Sequence, residues 1–144
     1  EPDGSVVGAD GLGAGVVDTI RHRNFGNGLF EFHGGQKAFD VAAYFNRRAE
    51  CWRLMAEWLK AGAEIPDDPE LATDLTSPMY GYSAKSQLQI GKKETLRSRG
   101  LASPDSADVL AMSFSVTVAP KPQGPVRPRW LMQDSGDLSQ AWMY

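Results

Sequence analysis

The spacing of apolar residues changes period several times along this chain, and each change marks an element. Val6-Val7-Gly8-Ala9 is a short apolar run that predicts a buried strand ending at Asp10. Gly11-Leu12-Gly13-Ala14-Gly15 predicts a tight turn, and an amphipathic stretch follows from about Val16 to Arg23. Strand, glycine turn and helix make one half of a βαβ unit. Leu29-Phe30-Glu31-Phe32-His33 alternates apolar and polar residues, which predicts the next strand, closed by Gly34-Gly35. The strongest helical period lies over Asn46 to Ala61, where Ala49, Trp52, Met55, Ala56 and Leu59 recur on one face. Arg47, Arg48, Arg53 and Lys60 supply its polar face, and Gly62 fits a C-cap.

The second half is more broken. Pro66-Asp67-Asp68-Pro69 interrupts the chain, and Pro69 suits the first turn of a short helix from Glu70 to Leu75. Met79-Tyr80-Gly81-Tyr82 and Gln87-Leu88-Gln89-Ile90 predict a hairpin. Lys92 to Arg99 predicts a short basic helix stopped by Gly100. Ser103-Pro104-Asp105 then has the order of a helix start, with Ser as N-cap, Pro at the first position and Asp in the first turn. That helix runs through Ala107, Leu110, Ala111 and Phe114. From Ala119 onward Pro120, Pro122, Pro125 and Pro128 predict an extended, partly disordered tail with Trp130 and Trp142 as docking points.

Composition narrows the class. The chain has 144 residues, 42% hydrophobic and 23% charged, which is the make-up of one ordinary soluble domain. No apolar run approaches the roughly 20 residues needed to cross a bilayer. Glu1-Pro2-Asp3-Gly4 carries no apolar h-region, so no signal peptide is expected; the absence of a starting Met fits a chain cut from something longer. One cysteine, Cys51, excludes an intrachain disulfide and a cysteine-built zinc site, and its helical setting beside Trp52 predicts a buried structural thiol in a reducing compartment. A net charge of -3 argues against a nonspecific basic DNA-coating protein but not against a nuclease, because enzymes that hold divalent cations must carry carboxylates.

The residues that could carry chemistry are few. Asp10 at a strand end is costly to desolvate without a partner, so it is either a ligand-facing carboxylate or the cap of the next helix. The glycine turn lacks the G-x-G-x-x-G fingerprint and a following Lys-Ser/Thr pair, so close packing of strand on helix is its expected role. Asp105 and Asp108 lie three apart and share a helix face, as metal ligands or as partners of the helix dipole. His22 and His33 have no i, i+4 histidine partner and default to surface or core positions. Lys92, Lys93 and Arg97, with Arg99, form either a solvated face or a contact to phosphates. Arg47 and Arg48 are expected to pair with the acidic stretch from Glu64 to Asp74.

Four segments, in order, resemble the C-terminal nuclease domain of tailed-phage terminase large subunits. They are Val7-Gly8-Ala9-Asp10-Gly11-Leu12-Gly13-Ala14-Gly15-Val16-Val17-Asp18, Asn46-Arg47-Arg48-Ala49-Glu50-Cys51-Trp52, Ile65-Pro66-Asp67-Asp68-Pro69-Glu70-Leu71 and Ser103-Pro104-Asp105-Ser106-Ala107-Asp108. The resemblance implies an α/β, ribonuclease-H-like nuclease fold, incomplete at the N-terminus, with an inserted β-hairpin and a Pro-rich C-terminal tail. Residues 1–118 would form the partial domain and 119–144 the tail. In that family, carboxylates from two strands and the last helix hold two Mg2+ or Mn2+ ions for phosphodiester hydrolysis. Asp10 and Asp108 match catalytic, metal-holding positions, with Asp105 as a helper. Lys92, Lys93 and Arg97 would contact DNA. Implied partners are double-stranded DNA, the terminase ATPase domain, the small subunit and the portal, in the host cytoplasm at the procapsid. One departure is that the family's first catalytic Asp precedes the segment that begins here, so the isolated chain is expected to be a poor or inactive nuclease. Two other readings stay open: a noncatalytic module that binds DNA or packaging partners, and a small nucleotide-binding α/β protein that uses the glycine turn.

Overall fold

In a computed structural model of the chain, the described residues are 4–23, 28–91 and 93–117, without the side chains of Lys93, Glu94 and Arg97. The architecture is mixed α/β with two small sheets. Strand β1 (Ser5–Gly8) leads through helix α1 (Gly13–His22) to β2 (Leu29–Phe32), which pairs with β1 in parallel, Val6 opposite Phe30 and Gly8 opposite Phe32. A parallel pair needs a crossover connection, and α1 supplies it. Gly13 is obligatory in this connection: a Cβ there would lie 1.6 Å from the carbonyl oxygen of Gly8. The close-packing role expected of the glycine turn is therefore what the backbone shows. The helix begins at Gly13, three residues before the amphipathic pattern does, because its first turn packs against the strand end through backbone. β1 is only partly buried, unlike the buried strand its apolar run predicts, because β2 is its one neighbour among the described residues.

Helix α2 (Arg47–Lys60) is the spine of the molecule. The Asn46 side chain accepts from the Ala49 N–H at 3.0 Å, an N-cap worth about 1 kcal/mol. Gly62, at φ +95°, ends it with a backbone conformation that glycine adopts without strain. Its apolar face carries Cys51, Trp52 and Met55 into a core shared with Phe32 of β2 and with Ala107 and Ala111 of the last helix (Asp105–Met112, α5 in chain order). Burial of a side chain such as Met55 contributes about 1.5–3 kcal/mol. The small residues Ala107 and Ala111 let α5 lie close on α2, and a 3-10 turn, Ser113–Ser115, brings Phe114 edge-on to Trp58 at 5.5 Å between centroids.

Between these helices the chain forms α3 (Pro69–Thr76), capped by Asp68, then a hairpin of β3 (Tyr80–Tyr82) and β4 (Leu88–Ile90), then α4 (Lys93–Ser98). The hairpin is held to the body by segment 41–45: Leu88 N–H donates to Ala43 O at 2.8 Å and Phe45 N–H to Leu88 O at 2.9 Å. The tail expected over 119–144 lies outside the described residues.

Candidate functional site

Asp10 follows the C-terminal end of β1. Parallel register puts His33 and Gly34, which follow β2, beside it. Its Oδ2 accepts from the Gly34 N–H at 3.0 Å, and its Oδ1 lies 3.0 Å from His33 Nδ1. The cap position of α1 is Leu12, with no side-chain hydrogen bond, so the alternative in which Asp10 caps that helix does not hold. The Asp10 side chain is 67% exposed and thus accessible to a ligand. His33 also approaches Glu31, with Nε2 3.6 Å from Oε2, and Glu31 in turn pairs with Arg21. A chain of polar side-chain contacts therefore runs along this sheet edge, from Arg21 through Glu31 and His33 to Asp10.

Asp108 comes from the opposite side, on α5. Its Oδ1 accepts from Arg48 Nε at 2.9 Å and from Trp52 Nε1 at 2.8 Å, and its side chain is only 12% exposed. A carboxylate taken this far out of water needs donors of this kind, and a guanidinium supplies both a proton and an opposite charge. Arg48 therefore pairs with Asp108 and not with the 64–74 acidic stretch that the sequence suggests for it. Arg47, assigned by the helical pattern to the polar face and to the same acidic pairing, is buried. It pairs with Glu50, donates to the Ser115 carbonyl and stacks on Phe39 with its guanidinium carbon 3.6 Å from the ring centroid. The helix places its first turn under the 113–115 turn, so a residue at the helix start is covered whatever its polarity.

Glu50 is the counterpart of Arg47. Burial would raise its pKa, but the backbone N–H groups of Phe39 and Asp40 and the Arg47 guanidinium outweigh that and hold it below the usual glutamate value. Next to it, burial pushes the Cys51 thiol up to about 11, with Arg47 opposing and Glu50 adding a smaller effect. Cys51 is fully buried, as the sequence predicts for a structural thiol, and carries no nucleophile.

The start of α5 differs from expectation. Ser103 does not cap it: its Oγ donates to Asp105 Oδ1 at 2.7 Å, and the cap position is Pro104. The N-terminal donor is satisfied from α3, where Asp74 Oδ2 accepts from the Ser106 N–H at 3.0 Å. Asp74, His33, Gly34, Arg48 and Trp52 are the participants that sequence reasoning does not single out for this site. Arg48 and Trp52 lie in one of the four segments that carry the resemblance, but their contacts to Asp108 come from the packing of the fold.

Asp10, Asp105 and Asp108 all line one cleft of about 590 Å³, with Arg48 and Trp52 in its wall. Among the described residues no three His, Cys, Asp or Glu side chains are grouped to hold a metal ion. This excludes a closed cage of protein ligands within that set. Mg2+ keeps most of its water and is held by one or two carboxylates together with a phosphate substrate. Asp10 and Asp108 have the donor type for that chemistry and line the same cleft. Lys92 lies outside the described residues; Lys93 and Arg97 sit on α4, but their side chains do too, so the expected DNA contacts have no described geometry.

No protein-family model matches the chain, and no curated protein sequence does. Solved structures do. The nuclease domain of the large terminase subunit gp2 of bacterial virus Sf6 superposes with a TM-score of 0.64 and 22% identity, over 81% of this chain and 66% of that one. A point mutant of that domain with manganese and beta-thujaplicinol gives a TM-score of 0.64 at 20% identity, over 81% and 66% of the two chains. The same mutant with calcium gives 0.64 at 20% identity, over 80% and 65%. The chain thus spans about two thirds of the solved domain, and over that span it has the fold of a bacterial-virus terminase large-subunit nuclease domain.

Proposed function

We propose that this chain is part of a phage DNA-packaging terminase large subunit and carries part of its endonuclease site, which cuts concatemeric double-stranded DNA by metal-dependent phosphodiester hydrolysis on a ribonuclease-H-like fold. The observation that supports this reading is that Asp10, from a strand end, and Asp108, from the last helix, line one cleft in a chain with a terminase-nuclease fold. Asp10 and Asp108 would hold Mg2+ or Mn2+, with Asp105 at the rim. A bound divalent ion would supply an attacking water of lowered pKa and neutralise charge on the phosphate. The chain's own residues do the orienting: His33 and the Gly34 N–H fix Asp10, while Arg48 and Trp52 fix Asp108. Lys92, Lys93 and Arg97 would meet the DNA backbone through charge. The terminase ATPase domain, the small subunit and the portal are the proposed partners, in the host cytoplasm at the procapsid.

In the family resembled, a two-ion site takes carboxylates from two strands and the last helix, and among the described residues no three His, Cys, Asp or Glu side chains are grouped to hold a metal. We propose that the 144-residue chain alone is a poor or inactive nuclease that binds a divalent ion. Titration of the chain with Mn2+, followed by electron paramagnetic resonance, should show saturable binding that Asp10→Asn and Asp108→Asn each weaken. Absence of binding, or indifference to both substitutions, would reject the metal site and favour a noncatalytic module. Mn2+-dependent cutting of plasmid by the chain would reject only the inactivity.

A further inference from the structure

We infer that Arg48 and Trp52, one helical turn apart on α2, are positioning residues for the Asp108 carboxylate, and that Arg48 ties it to the Asp10 edge so that the two carboxylates face a divalent ion at a fixed separation. The inference rests on the metal site proposed above.

Three observations carry it. Arg48 Nε and Trp52 Nε1 both donate to the same oxygen, Oδ1, at 2.9 and 2.8 Å. Two donors on one oxygen hold that oxygen in place and restrict rotation of the carboxylate. Arg48 is also bonded to the other side of the cleft. Its backbone N–H donates to Gly34 O at 3.1 Å, and the Gly34 N–H donates to Asp10 Oδ2 at 3.0 Å, so a single residue, Gly34, links Arg48 to Asp10. The contact is close: a Cβ on Gly34 would lie 3.4 Å from Arg48 Cβ and 3.8 Å from its Cδ. Finally, the guanidinium is held in place. Nη1 donates to Gly91 O at 3.1 Å, the Trp52 ring lies 5.7 Å from its central carbon, and Nη2 is buried with no hydrogen-bond partner among the described residues. With Nη1 anchored on the Gly91 carbonyl, the planar guanidinium aims Nε at Asp108. Lysine cannot reproduce that, because it presents a point charge and no planar fork.

The test is Mn2+ affinity of the full chain, measured by electron paramagnetic resonance, for the parent, Arg48→Lys, Arg48→Gln, Trp52→Phe and, as reference, Asp108→Asn. Near-ultraviolet circular dichroism checks packing. Partners that orient a metal ligand typically change metal affinity by about 10–100-fold when removed. Arg48→Lys and Arg48→Gln should weaken Mn2+ binding within that range although lysine keeps the charge. Trp52→Phe, which keeps the aromatic packing and remains informative should the Arg48 variants fail to fold, should weaken it by about tenfold. Unchanged affinity in Trp52→Phe, or tighter binding in Arg48→Gln, would overturn the inference; the latter would make Arg48 a competitor for Asp108. A parent that binds Mn2+ indifferently to Asp108→Asn would instead overturn the underlying metal site, and this inference with it.

Discussion

Asp74, near the end of α3, caps α5 through space: its Oδ2 accepts the Ser106 N–H at 3.0 Å, across 32 positions of sequence. Removing an N-cap acceptor costs about 0.5–2 kcal/mol, and this one is largely buried, so the upper part of that range applies. Asp74→Ala should lower the urea midpoint accordingly. Amide exchange of Ser106 and its neighbours should rise more than that of α2. An effect spread evenly over both helices would show that the contact serves general packing and not the start of α5.

Glu50 makes stability depend on acid. Its folded pKa lies below the unfolded value of about 4.3, so its contribution is fully present above that pH and is lost as pH falls through the lower folded value. Melting temperature should therefore fall as pH drops below about 4.3. Glu50→Gln should be less stable at neutral pH, since Arg47 would be left buried without its counter-charge, and should show a shallower acid slope. An identical slope in the variant would assign the acid sensitivity to other carboxylates.

Cys51 should resist alkylation. It is completely buried and its thiol is pushed up to about 11, so at about pH 8, below the ordinary thiol pKa, the native protein offers neither thiolate nor access. Iodoacetamide labelling followed by mass spectrometry should proceed only at the rate of unfolding and go to completion in denaturant. Rapid modification of native protein would mean that the α2–α5 contact opens readily.

Two glycines of one turn should behave oppositely. Gly13→Ala forces a Cβ into the Gly8 carbonyl and must move the strand end, at a cost of about 1–3 kcal/mol or more. Gly15, inside α1 with nothing within 4 Å of where an alanine methyl would sit, should gain about 0.5–1 kcal/mol as alanine. Denaturant midpoints of the two variants give the comparison. Equal destabilisation would indicate that the turn needs flexibility at both positions.

The sequence by itself determined the elements, because those depend on neighbours within about four residues. The long helix from Asn46, Pro69 in the first turn of α3, the alternation of 79–82 and 87–90 and the glycine after α2 are all legible from local pattern. The glycine turn is legible as packing, and Cys51 as buried. Only the tertiary structure decided the partners. Arg48 meets Asp108 across 60 positions and Arg47 reaches Ser115 across 68; Asp10 is held by residues 23 and 24 positions away, and Asp74 replaces Ser103 as the cap of α5. The physical reason is that helix and strand formation are governed by short-range backbone geometry. A buried charge instead takes whichever donor the packing of α2 against α5 and the sheet edge brings within about 3 Å.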